Sequence, residues 1–291
     1  MDILRTPDEM TRYAEAARMS GERIAFVPTM GFLHDGHVTL MREGRRRASV
    51  LVASIFVNPT QFGPSEDFGR YPRAFERDCE LMQTVPVDAV FAPEPAAMYS
   101  PDAQTWVEVT EMTQGLCGAH RPGHFRGVTT IVAKLFNIVK PHVALFGEKD
   151  FQQLRAIQKM VADLNFDVEV VPVPIAREKD GLAMSSRNAY LSPAERERAL
   201  ALSLALRAAR ETHREGACCV EQIVHCARRV LRRTEGVEIE YVSAVDADTL
   251  APYPPLTRPI LVAIAARVGR TRLIDNTVLE PALTDVHIEE Q

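Results

Sequence analysis

The stretch VLVASIFV, residues 50–57, is apolar at nearly every position and shows none of the polar alternation of a strand with one wet face. A central strand of a parallel sheet has this texture, because helices cover both of its faces. Four more short apolar runs, at 23–27, 87–92, 142–146 and 168–175, alternate with stretches of helical spacing at 36–47, 72–83, 128–139 and 151–164. Such alternation builds βαβ units. In VTTIVAKLFNIV, residues 128–139, the side chains of Val128, Ile131, Val132, Leu135, Phe136 and Val139 fall on one face and are expected to be core. The fold class predicted is α/β, a Rossmann-like parallel sheet with helices on both faces.

Beyond residue 175 the texture changes. The polar loop AREKDGLAMSSRNAYL precedes Ser192-Pro193, a helix start with Ser as N-cap and Pro at the first helical position. Helical stretches at 194–214 and 220–233 follow, then VEIEYVSAVD, ILVAIAARVG and TRLIDNTVLE, the last two meeting around Gly269 as an antiparallel hairpin would. The expected division is a Rossmann-like domain over 1–175 and a smaller C-terminal α+β lid domain over 176–291. The tail after Glu280 carries no usable pattern.

Composition narrows the class. Of 291 residues, 46% are hydrophobic and 25% charged, which suits a globular chain with a core. The formal charge of −5 gives no global attraction for nucleic acid or an anionic membrane. The start MDILRTPDEM lacks the basic-then-apolar layout of an export signal, and no apolar run is long enough to span a bilayer, so a cytoplasmic protein is expected. The five cysteines include no CxxC; reduced thiols and no zinc site are expected.

In an open parallel sheet, ligands sit beyond the carboxyl ends of the strands. The loops there are rich in chemistry. VPTMGFLHDGH (27–37) places His34 in a turn and His37 in the first turn of a helix, beside backbone N–H groups that suit an anion. Metal ligation is the weaker account, since the spacing crosses a turn and no thiolate stands near. NPTQF supplies the neutral amides of Asn58 and Gln61, suited to the hydroxyls and carboxylate of a small polar acid. GEKDFQQL sets Lys149 and Asp150 at a helix start with Gln152 and Gln153 in its first turn. DGLAMSSRN combines Gly181, Met184, two hydroxyls and Arg187, as a mobile lid over a triphosphate would. Asp78 reads as a helix-surface residue, with a lesser prospect of holding Mg²⁺ through water.

Together VPTMGFLHDGH, SIFVNPTQF, RPGHFRGV, LFGEKDFQQL, DGLAMSSRN and RLIDN, spread over residues 24–276, closely resemble the pantothenate synthetase (pantoate–beta-alanine ligase) family. The HxGH pattern alone would indicate only a wider nucleotidyltransferase superfamily. The resemblance implies an ATP- and Mg²⁺-dependent ligation of pantoate and β-alanine through pantoyl adenylate, in a homodimer. It implies that His34 and His37 hold phosphate oxygens, with His37 the proton donor. Lys149, Ser185, Ser186 and Arg187 would grip the outer phosphates. Met30, Asn58, Gln61 and Gln153 would hold pantoate. Gly147 and Asp150 would face the nucleoside, Met30 and Met184 would also line the ATP site, and Asp78 would stand near the metal. Two rivals are another HxGH nucleotidyltransferase with a different acid or phosphate substrate, and a nucleotide- or RNA-binding module without catalysis.

Overall fold

The computed structural model describes residues 1–64 and 66–281. They form two compact units, one of residues 1–179 with 183–189 and the other of 180–182 with the chain from 190 onward. The chain therefore passes into the second unit later than residue 176, and 183–189 return to the first. Residues 282–291 of the expected second domain lie outside the described residues.

The first unit runs β1 (Asp2–Leu4), α1 (Pro7–Met19), β2 (Ile24–Thr29), α2 (Asp35–Arg47), β3 (Val50–Ile55), α3 (Phe75–Gln83), β4 (Ala89–Phe91), the short turns α4 (Pro95–Met98) and α5 (Cys117–His120), α6 (His124–Val139), β5 (Val143–Gly147), α7 (Phe151–Asp163) and β6 (Glu169–Val173). Its strands are all parallel, in the order β1-β4-β3-β2-β5-β6. Successive side chains of the sheet enter opposite cores. Ile24, Phe26, Val52, Phe91 and Phe146 pack with α1, α6 and α7, whereas Ala25, Val27, Leu51, Ala53 and Leu145 pack with α2 and α3. Two covered faces explain why residues 50–57 show no alternation.

Strand order reverses between β2 and β5, and there the sheet comes apart. The two strands pair only at Ala25↔Val143 and Phe26↔Ala144, although β2 continues with β3 to Thr29↔Ile55 and β5 with β6 to Gly147↔Val173. The Ile24 carbonyl accepts from His142 N on the β5 side, and the Thr29 carbonyl accepts from Phe56 N on the β3 side. Alternation along the strand then points Ile24, Phe26 and residue 28 toward β5. Residue 28 is Pro, which has no N–H to continue that ladder. A crevice opens where the missing donor would have been.

The second unit holds α8 (Pro193–Arg214), α9 (Val220–Arg232) and an antiparallel sheet β7-β8-β9 (Val237–Asp246, Ile260–Val268, Thr271–Leu279). Ser192 caps α8 by accepting from Glu195 N while the Glu195 side chain returns to Ser192 N. Gly269, at φ +58, opens the two-residue turn of the β8–β9 hairpin. Ile223, Leu231, Ile260 and Ile264 anchor its core.

Several boundaries differ from expectation. The parallel sheet gains β1 and the helices gain α1, whose capping box of Thr6 and Glu9 with Pro7 at the first helical position is a sequence signal. α6 begins at His124 rather than 128, and α2 at Asp35 rather than 36.

Candidate active site

A cavity of ≈ 230 Å³ occupies the crevice beyond β2 and β5. Met30, His34, His37, Asn58, Gln61, Gly147, Lys149, Asp150, Gln153, Met184, Ser185, Ser186 and Arg187 all line it, and all belong to the first unit. Tyr71, Val128, Ile131 and Val132 also stand in its wall, so part of the apolar stripe of α6 read as core faces the ligand space.

The histidines owe their pose to a capping box built from imidazoles. His34 is the N-cap of α2, and its Nδ1 accepts from Gly36 N at 3.2 Å. His37, at the third helical position, accepts from His34 N through its own Nδ1 at 3.3 Å. An Nδ1 that accepts an amide proton carries none itself, so the neutral ring is protonated at Nε2. Burial and then the Lys149 charge lower the His34 pKa to about 4. Burial, His34 and Lys149 hold His37 well below its ordinary range. Two uncharged rings, 4.1 Å apart, thus keep an Nε2–H donor each. This corrects the expected anion site in part: the Gly36 amide is already capped, and the imidazoles take over its role. It also disfavours metal ligation, because a protonated Nε2 has no lone pair to give.

The preceding loop is strained and tied down. Gly31 lies at φ +81 and Phe32 at φ +50. The Asp78 carboxylate accepts from Phe32 N and Leu33 N, both at 2.7 Å, and Ser186 Oγ donates to the Phe32 carbonyl at 3.1 Å. Asp78 is only 1% exposed and does not line the cavity. The surface position expected for it is wrong. It braces the histidine loop, and its oxygens are engaged by amides rather than presented to a cation. Ser186 likewise has its hydroxyl proton committed to Phe32.

Lys149 follows β5 and sits 3.8 Å from Asp150 Oδ2. Arg187 makes a bidentate pair with Asp67, Nε to Oδ2 and Nη2 to Oδ1, each 2.9 Å, with its guanidinium 5.5 Å from the Tyr71 ring centroid. Burial works against the Arg187 charge, yet the Asp67 bonds outweigh it and its pKa is raised. Three guanidinium protons remain for another anion.

Asn58 also departs from expectation. It is 1% exposed, its Nδ2 donates to Gln61 Oε1 and to the Gly127 carbonyl, and its Oδ1 accepts from Thr60 Oγ1 and Tyr99 OH. Every polar atom of its side chain is engaged, so although it lines the cavity its amide orients Gln61 and has no hydrogen bond left to offer a substrate. Gln61 in turn directs Nε2 to Met30 Sδ at 3.1 Å, the side facing the cavity. Gln152, one residue before the lining Gln153, is buried and binds the 112–117 segment. Sequence reasoning missed Asp67 and Tyr71; an acidic and an aromatic residue in FGPSEDFGRY are unremarkable until the fold brings Arg187 to them.

With this geometry in place, comparison with known proteins is specific. The family model described as pantoate-beta-alanine ligase matches residues 2–278. A curated relative named pantothenate synthetase, from Geobacter sulfurreducens, is 54% identical over 96% of this chain and 99% of its own. The crystal structure of pantothenate synthetase from Thermus thermophilus superposes with a TM-score of 0.91 at 44% identity, covering 97% of this chain and 100% of that one. The pantoate-beta-alanine ligase from Francisella tularensis, complexed with β,γ ATP and β-alanine, has a TM-score of 0.81 at 29% identity, with 97% and 100% covered.

Proposed function

Because the chain belongs to the pantoate-beta-alanine ligase family, we propose that it joins pantoate to β-alanine through pantoyl adenylate, converting ATP to AMP and pyrophosphate. The observation that carries this reading is convergence. Two neutral imidazole donors, two cations and two carboxamides, from four separate segments, line one cavity.

In the first half-reaction a pantoate carboxylate oxygen bonds to the α-phosphorus while the bond to the bridging oxygen of pyrophosphate breaks. Negative charge grows on the departing phosphates. His34 and His37 Nε2–H, Lys149 and Arg187 are fixed donors for that charge, which is where such groups lower a barrier most. In this role His37 donates a hydrogen bond from a neutral ring. Gln61 and Gln153 would hold the hydroxyls and carboxylate of pantoate in line for attack, and Met30 would pack against it. Gly147, Asp150, Met184 and Ser185 would contact the nucleotide. In the second half-reaction the β-alanine amine attacks the acyl carbon, AMP leaves with the bonding pair, and the amine gives up a proton.

Asp78 does not fit a magnesium site, for the reasons above. Among the described residues no group of three His, Cys, Asp or Glu side chains could cage a metal, and Mg²⁺ needs none when it arrives on a triphosphate. Asp150 is the lining carboxylate able to assist it, and when bound the ion would neutralise phosphate charge. Among the described residues no helix is long and apolar enough to cross a membrane. With free cysteines and a net charge of −5, we place the reaction in the cytoplasm, with small-molecule substrates and no nucleic acid. The family resemblance implies a homodimer, which sedimentation would check.

The test is to mix the protein with ATP, Mg²⁺, pantoate and β-alanine and to follow pyrophosphate and the amide product by mass. Pantoate-dependent pyrophosphate release with amide formation is expected. Release that is independent of pantoate would overturn the assignment.

A further inference from the structure

The motif RPGHFRGV, residues 121–128, has no part in the chemistry above, yet it is built against the loop that carries Gln61. Arg121 reaches Glu66 through two parallel bonds, Nε to Oε1 and Nη2 to Oε2, each 2.6 Å. Its Nη1 lies 2.9 Å from His124 Nε2, and its Nη2 donates to the main-chain carbonyl of Gln61 at 3.4 Å. His124 Nδ1 lies 2.8 Å from that same carbonyl.

The neighbours dictate the tautomer. A carbonyl only accepts, so Nδ1 carries the proton; a guanidinium only donates, so Nε2 is bare. The ring is 9% exposed, and burial followed by the Arg121 charge lowers its pKa to about 4, which keeps it neutral. Gly127 completes the seat. A Cβ there would lie 2.4 Å from the Thr60 carbonyl oxygen and 2.8 Å from Gln61 Cα, so only glycine lets α6 approach this backbone. From the other end Asn58 holds Gln61 Oε1 at 3.0 Å.

We infer that Arg121 and His124 are positioning residues for the hydroxy-acid subsite: the chain Glu66–Arg121–His124 fixes the Gln61 carbonyl and thereby aims the Gln61 amide at the substrate. This rests on the reading of Gln61 as a hydroxy-acid contact. The structure supplies a discriminating pair of variants. An asparagine amide reaches about as far as Nδ1 and can still donate to the Gln61 carbonyl, whereas a glutamine amide reaches about as far as Nε2 and can serve only Arg121.

Steady-state KM values for pantoate and for ATP would be measured on the full chain for His124→Asn, His124→Gln and Gln61→Ala. The expectation is that His124→Gln raises KM for pantoate about tenfold, the scale of one net hydrogen bond, with KM for ATP unchanged, and that His124→Asn restores it to within about threefold of the parent. Equal values for the Asn and Gln variants, or parallel changes in both KM values, would overturn the positioning role. A Gln61→Ala variant with parental KM for pantoate would overturn the underlying assignment of Gln61, and the inference with it. Gln61→Ala raising that KM while the His124 pair stays silent would remove the positioning role alone. In the unaltered protein, the ¹⁵N shifts of His124 should report the neutral Nδ1–H form; an Nε2–H ring would refute the chain of bonds directly.

Discussion

Gly36→Ala separates stability from chemistry. A Cβ at this position would fall 2.9 Å from both Cε1 and Nδ1 of His34, closer than real side chains approach, while its next neighbour, the Ala176 Cβ, is at an ordinary 3.5 Å. Backbone strain is not the issue, since Gly36 is absent from the residues at positive φ. The imidazole must therefore swing away. Losing its capping bond costs about 1 kcal/mol, and exchanging Gly for Ala in a helix returns up to about 1 kcal/mol. Net stability should change little. Activity should not escape, because a preorganised donor aimed at developing charge contributes about 2.7–4 kcal/mol, or roughly 100- to 1,000-fold in rate. The assay is pantoate-dependent pyrophosphate release, paired with urea unfolding of the same sample. Parental kcat/KM would refute the claim that the ring's pose matters, as would an activity loss matched by an equal loss of stability.

His37→Ala and Lys149→Ala should each slow adenylation by a similar factor, about 100- to 1,000-fold, with the fold intact by circular dichroism; parental turnover in either would remove that residue from the charge-stabilising set. Asp78→Asn should destabilise the protein by about 1–3 kcal/mol in urea, since a neutral amide side chain cannot accept both N–H groups as well, and should leave the Mg²⁺ concentration for half-activity unchanged; a large shift in that concentration would restore a metal role. Asp67→Asn should loosen Arg187 and raise KM for ATP several-fold, measured in the same assay, with little effect on KM for pantoate. For acid sensitivity, His34 and His124 have folded pKa values of about 4, below their ordinary 6.5. A lowered folded pKa means that the unfolded chain binds the proton more readily, so the contribution is complete above 6.5 and lost as pH falls toward 4. Each ring should cost about 2 kcal/mol by pH 5, visible as a falling urea midpoint between pH 7.5 and 5. A flat midpoint across that interval would contradict the buried neutral rings.

What could be read from the sequence followed burial and loop placement. The run at 50–57 announced a strand covered on both faces, and the hairpin at Gly269 was set by turn chemistry. The cavity-lining set was legible because strand ends in an open parallel sheet face one side. Asp78 was not, since a carboxylate on an amphipathic helix has the same local pattern whether it meets water or two amides 46 and 45 residues away. Asn58 misled for a related reason: an amide suited to a hydroxy acid is equally suited to Gln61, Thr60, Tyr99 and Gly127, and only the packing of α6 decides. Asp67 and Glu66 became interpretable only when Arg187 and Arg121 arrived from 120 and 55 positions along the chain.

Pro28 has a kinetic corollary. The separation of β2 from β5 is written into an imino acid, so no ligand has to prise a closed ladder apart. Encounter with nucleotide should therefore be a single bimolecular step at this crevice, with an observed rate that climbs in proportion to ligand concentration and no plateau from a slow opening event.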